Sequence, residues 1–249
     1  MKPTILHGQL YCEAYVVSMK DEIKKEITEK LLQYYKHGKW KSIINLFHEE
    51  VREGNENFYD ERYLWVRPSE NNLQFIKQQT VKAGCYQLVS IGCGTGLLEW
   101  LIHKATGLEV TGIEVDRGWW ESSHAPPIFL PLIYADETHG SDITTNKNAA
   151  LLFCYFNNGS AFSEYMRQYE GNCFIVIGPG EGRGTHTQPA PFNIQLESEF
   201  TWKLEAFQEV QCTKDFIAVY VKSQSELEVS PSKIVRLTQQ DHCPFKEVP

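Results

Sequence analysis

Tyr86-Gln87-Leu88-Val89-Ser90-Ile91-Gly92-Cys93-Gly94-Thr95-Gly96-Leu97-Leu98-Glu99-Trp100-Leu101-Ile102 is the stretch on which the reading of this chain turns. An apolar run through Leu88, Val89 and Ile91 predicts a buried strand, and the run from Leu97 predicts a helix. Between them, glycines at alternate positions allow a sharp turn and leave no side chain between the backbone and a ligand. The unpaired N–H groups of the opening helix face the same space, as in sites that hold nucleotide-like molecules.

Outward from that turn, the chain alternates in the manner of a wound α/β sheet. Strands are expected at Gln87 to Ile91, Glu109 to Val115, Pro131 to Ala135, Ala149 to Phe156 and Cys173 to Ile177. Helices are expected from Leu97 to Ala105 and from Ser163 to Tyr169. Trp202 to Val210 and Phe216 to Val221 alternate well enough to pair antiparallel at one edge. Upstream, Ile23, Ile27, Leu31 and Tyr35, then Trp40, Ile43, Ile44, Phe47 and Val51, recur at helical spacing. They predict two amphipathic helices broken near His37-Gly38. Ser69 is placed to cap a further helix after Pro68. The expected organisation is a helical extension over 1-80, a ligand-binding α/β domain over 81-222 and a polar tail over 223-249.

Composition bounds the function. The 249 residues, 42% hydrophobic and 12% aromatic, suffice for one large α/β domain with an added helical piece. The formal net charge is -8, and residues 1-80 balance, so the whole acidic excess follows Thr80. That disfavours a nucleic-acid partner, which calls for a basic face. Seven scattered cysteines without a C-x-x-C pair do not suit a disulfide framework. They fit a reducing, cytoplasmic location. No Cys and His cluster has metal-site spacing, and no apolar run has the length of a membrane span.

The ligand of an open parallel sheet lies beyond the carboxyl ends of its strands. Strand two ends in Gly112-Ile113-Glu114-Val115-Asp116, with Glu114 at the distance past the glycines where a ribose-binding carboxylate is expected. Asp116 is its competitor as the acid of a helix N-terminus. Strand three ends in Ala135-Asp136-Glu137 and strand four in Asn157-Asn158, whose bland roles are a cap and a turn. The third glycine of the dinucleotide fingerprint is missing, because Leu97 stands in its place.

These residues resemble the class I S-adenosylmethionine-dependent methyltransferases. Val89 to Gly96 looks like their first motif, Val110 to Glu114 like the second strand with its ribose-binding acid, and Tyr134 to Glu137 like the segment that meets the adenine amino group. The resemblance spans about Tyr63 to Val221 and is greatest to a poorly characterised branch, through Arg62 to Pro68, Leu151 to Tyr155 and Tyr169 to Asn172. It implies a Rossmann-like three-layer sandwich with a mostly parallel seven-stranded sheet whose last strand is antiparallel. It also implies S-adenosylmethionine as methyl donor and S-adenosylhomocysteine as product. The residues implied for the cofactor are Tyr63, Ile91, Gly92, Cys93, Gly94, Gly96, Glu114, Val115, Asp136 and Glu137.

Two departures stand out. The family often has an acid just before Ile91, where this chain has Ser90, which weakens the hold on the methionine amino group unless a neighbour or water substitutes. The branch follows its fourth strand with an aromatic-Pro-Pro segment, here Tyr155-Phe156-Asn157. Candidate acceptor-side or catalytic residues are Asn157, Glu181 and His186, with His124 a further possible base. Trp119 and Trp120 are candidates to cover the adenine, or else core residues. Arg183 is a candidate for binding a substrate anion. The expected function is methyl transfer to a small-molecule or protein acceptor. The alternatives are a catalytically silent S-adenosylmethionine-binding regulator and, less favoured, a nicotinamide-dependent oxidoreductase.

Overall fold

A computed structural model describes residues 22–52, 63–136, 143–196, 200–211 and 213–223; side chains are described to residue 48 in the first of these stretches. Helix α1 covers 22–36 and α2 covers Trp40–Arg52. They break where the sequence predicts, at Gly38, whose φ of 66° suits a residue without Cβ. Helix α3, Glu70–Lys82, opens on a capping box: Asn72 N–H donates to Ser69 Oγ, and Ser69 N–H donates back to Asn72 Oδ1. The amide of the buried Asn72 then donates to Gln208 Oε1 at 2.8 Å and to the Glu209 carbonyl at 3.1 Å, tying α3 to the sheet edge.

The sheet strands are β1 Gln87–Ile91, β2 Glu109–Glu114, β3 Leu132–Tyr134, β4 Ala149–Cys154, β5 Cys173–Pro179, β6 Trp202–Glu209 and β7 Asp215–Lys222. Helices α4 Leu97–Thr106, α5 Arg117–Trp120 and α6 Gly159–Gln168 complete the named elements. Strand order is β3-β2-β1-β4-β5-β7-β6. All neighbours pair parallel except those of β7, which runs antiparallel to both β5 and β6. This is the expected seven-stranded, mostly parallel sandwich.

Period-2 alternation assigns each strand residue to a face. Leu88, Ala150, Leu152, Ile175 and Ile177 pack with α1 to α4, while Val89, Ile91, Leu151, Phe153, Phe174 and Val176 pack with α6. Both faces are thus covered, which is why β4 and β5 read as continuous apolar runs. On the α6 side, Phe174 stacks on Tyr220 with centroids 4.9 Å apart and meets Trp202 edge-on at 4.9 Å. The N-terminal helices share the other core: Tyr35 of α1 lies 5.0 Å from Trp100 of α4.

Most boundaries lie within one residue of expectation, β5 runs on two residues to Pro179 because Gly178 and Pro179 still pair with Phe216 and Asp215 of β7, and two others differ for reasons of their own. Strand β4 stops at Cys154 rather than Phe156, because Tyr155 turns into the left-handed region at φ 50°. Helix α6 begins at Gly159 rather than Ser163, since the Asn158 side chain accepts from Ala161 N–H at 3.0 Å and caps it. Tyr169 lies just past α6 in extended conformation. Its hydroxyl sits 2.6 Å from both the Ala149 and Cys173 carbonyls, bridging the starts of β4 and β5. No helix of the described residues is long and apolar enough to cross a membrane.

Candidate cofactor and acceptor site

Strand order reverses between β1 and β4, because the crossover after β1 leads to β2 on one side and that after β3 returns to β4 on the other. The carboxyl ends of those two strands are therefore the switch point at which open α/β sheets bind ligands. A cleft of about 100 Å³ opens there, between Gly92 to Thr95 after β1 and Cys154 and Tyr155 at the end of β4. Tyr63, Leu64 and Trp65 reach it from the segment before α3, and Leu98 and Glu99 from the first turn of α4. A larger depression of about 350 Å³, between Gln79, Lys82, Asn172 and Lys222, lies at the opposite end of the sheet. It is remote from the switch point.

The glycine turn adopts conformations that side chains disfavour. Gly94 has φ 62°, and a Cβ built on it meets nothing within 4 Å, so the turn is open toward the cleft there. Gly96 has φ 74° for a packing reason: a Cβ would lie 2.8 Å from Leu130 Cβ. The loop carrying Leu130 is fixed from behind, as Phe129 N–H donates to the Thr95 carbonyl at 2.8 Å and Tyr35 of α1 donates to the Phe129 carbonyl at 3.1 Å. Thr95 Oγ1 donates to the Tyr63 carbonyl at 2.9 Å, which locks the segment before α3 onto the turn.

Glu114 ends β2 half-buried beside the turn, and its Oε1 accepts the Gly94 N–H at 2.6 Å. A carboxylate has about four lone-pair sites, so acceptor capacity remains. Val115, 77% exposed, follows it as an apolar surface. Ile91 is buried beneath the turn, Gly92 and Cys93 line the cleft, and Tyr63 is nearly buried at its rim. Burial pushes the Cys93 thiol up, with the charges of Glu99 and Glu114 adding to the effect. Asp136 is exposed beyond β3 with Arg117 Nη2 3.6 Å from its Oδ1, and the Arg117 guanidinium lies over the Tyr134 ring. Asp116 takes the helix-end role, accepting the Trp119 N–H at 2.9 Å. Glu137 lies outside the described residues. Trp119 is 47% exposed and Trp120 half-buried, so neither is a core residue.

On the acceptor side, the expected residues do not converge. Asn157 is exposed and bridges Gln188 through the backbone. Glu181 and His186 are exposed on the loop after β5, and His186 lines a separate depression with Gly159, Ser163 and Gln188. His124 is exposed as well. None of the four lines the cleft.

Two groupings there were not read from the sequence. Trp65 stacks on Tyr155 at 5.3 Å and 18°. The Tyr155 hydroxyl donates to Asp215 Oδ1 at 2.7 Å, while Thr213 donates to Asp215 Oδ2 at 3.0 Å and Arg183 Nε stands 3.4 Å from Oδ1. Burial, with Asp215 adding, pushes the Tyr155 phenol up, so it stays a donor. Arg183 is thus engaged by Asp215. Asp215 could be found only in three dimensions, because nothing in Lys214-Asp215-Phe216 marks it. The second grouping is Ser90 with Glu99, joined by a 2.6 Å hydrogen bond from Ser90 Oγ to Glu99 Oε1. A lone acid amid Leu97, Leu98, Trp100, Leu101 and Ile102 was a legible signal for it.

No family model and no curated protein matches the chain. Solved structures do. Magnesium protoporphyrin IX methyltransferase from Synechocystis PCC 6803, with bound SAM, is 10% identical over 62% of this chain and 79% of that one, with TM-score 0.34. The 16S rRNA methylase ArmA is 7% identical over 74% and 98%, with TM-score 0.35. A SAM-dependent methyltransferase from Archaeoglobus fulgidus is 10% identical over 61% and 94%, with TM-score 0.32. Each is a protein that this chain is similar to.

Proposed function

We propose that this chain binds S-adenosylmethionine over the carboxyl ends of β1 to β3 and transfers its methyl group to an acceptor held beside β4 and β5. The observation that carries the reading is the open glycine turn at the switch point, with the Glu114 carboxylate against Gly94. The residues fit such a ligand. Glu114 retains acceptor sites for ribose hydroxyls, Val115 offers an apolar surface to a base, and Gly94 leaves room for close backbone approach. When bound, the donor supplies a methyl carbon on a sulfonium, a leaving group that needs no further activation. The chain's own residues then align an acceptor and exclude water. Asn157, Glu181 and His186 are proposed on the acceptor side because they stand on the loops that follow β4 and β5. A small molecule or a protein suits the acidic chain better than a nucleic acid. Seven cysteines with no paired spacing favour a cytoplasmic setting.

Calorimetry with S-adenosylmethionine and S-adenosylhomocysteine tests the reading. Both are expected to bind the wild-type chain and to fail with Gly94→Asp, and labelled donor should mark a component of a cell extract only with wild type. Absence of binding by either ligand to folded wild-type protein overturns the proposal.

A further inference from the structure

Ser90 and Glu99 are a buried polar pair that the fold itself does not require. Ser90, fully buried, points from β1 to the α4 face, and Glu99, 1% exposed, is the third residue of α4. Ser90 Oγ satisfies Oε1, but Glu99 Oε2 accepts no hydrogen bond from the described residues. A carboxylate left half-satisfied in an apolar helix face is costly, and packing alone would favour a leucine there. The cleft gives the position another meaning. Glu99 lines it, and among the described residues that do there is no Lys or Arg. Glu114 adds a second carboxylate beside the same glycine turn, so the charged groups described there are acidic.

We infer that Glu99 is the receptor for the ligand's primary ammonium group, with Ser90 as the positioning residue that orients its carboxylate. Resting on the S-adenosylmethionine reading, the inference makes this ammonium that of the methionine end. Burial, with the Glu114 charge adding, raises the Glu99 carboxyl to about 7, so ligand capture and ionisation are coupled. The charged group acting on it is Glu114 of β2; the neighbouring thiols, Cys93 of the turn and Cys154 of β4, are themselves pushed up by burial and by the Glu99 charge, out of the neutral range.

The test is calorimetry with two ligands, S-adenosylhomocysteine and 5′-methylthioadenosine, which keeps the adenosine and the thioether but has no ammonium. At pH 8, Glu99→Gln is expected to weaken S-adenosylhomocysteine by about 30-fold or more and to leave 5′-methylthioadenosine unchanged. Ser90→Ala should weaken only the former, by less. In wild type, the preference for S-adenosylhomocysteine should shrink from pH 8 to pH 6, a readout that needs no variant; in Glu99→Gln it should be flat. Equal loss of both ligands in Glu99→Gln, or retained S-adenosylhomocysteine binding, or a pH-independent preference in wild type, overturns the assignment while leaving the donor reading intact. Failure of wild type to bind either ligand removes that reading and this inference together.

Discussion

Without a bound ligand, Glu99 should make the protein less stable as pH rises from about 4.5 toward neutrality. Burial is the main cause that lifts its carboxyl from 4.5 to about 7. At about 1.4 kcal/mol per pH unit, ionising it inside the fold costs about 3 kcal/mol more than in the unfolded chain. The sign follows from proton counts: between pH 4.5 and 7 the folded state holds a proton that the unfolded state has released. The associated stability is complete below about pH 4.5, falls as pH climbs to about 7, and is absent above. Glu99→Gln removes the ionisation while its amide oxygen still accepts from Ser90, at the cost of leaving an amide N–H where Oε2 now has no partner among the described residues. The variant should therefore match wild type near pH 5 and exceed it at pH 8 by about 1–3 kcal/mol. Urea denaturation followed by circular dichroism at pH 5, 6, 7 and 8 measures this. Stability curves that run parallel for the two proteins across that range would refute the reasoning, because other titrating groups are common to both.

Tyr169→Phe should cost about 2 kcal/mol, since it leaves the Ala149 and Cys173 carbonyls without the hydroxyl that bridges them; chemical denaturation reads it, and a loss below about 0.5 kcal/mol would contradict the bridge. The two glycines of the turn should separate stability from binding. Gly94→Ala, strained at φ 62° but facing open space, should lose about 1 kcal/mol and much of the ligand affinity, whereas Gly96→Ala adds a 2.8 Å approach to Leu130 and should unfold more readily than Gly94→Ala. Melting curves and calorimetry on the pair distinguish the two effects.

Much of the sheet was legible because both of its faces are covered. Full burial makes β1, β4 and β5 into apolar runs that end abruptly in glycine or polar residues, and that contrast survives in one dimension. The end of β4 was misplaced because Tyr155 and Phe156 continue the apolar pattern while the backbone at Tyr155 has already turned, held by a hydroxyl bonded to Asp215, 60 residues away. The start of α6 was missed because Asn157-Asn158-Gly159 has the composition of a turn; Asn158 is a cap, which uses the same side-chain chemistry.

Local patterning by itself determined the helix break at Gly38, the Ser69 cap, the wound α/β class and the glycine turn, because each depends on neighbours within a few residues. Which acid faces which space was decided only by the tertiary structure. Strand pleat turns Ser90 toward α4, helix pitch brings Glu99 to meet it, and burial by residues from distant elements raises its carboxyl. Electrostatics inside a fold depends on what has been excluded around a charge, and that exclusion is a property of the packed whole.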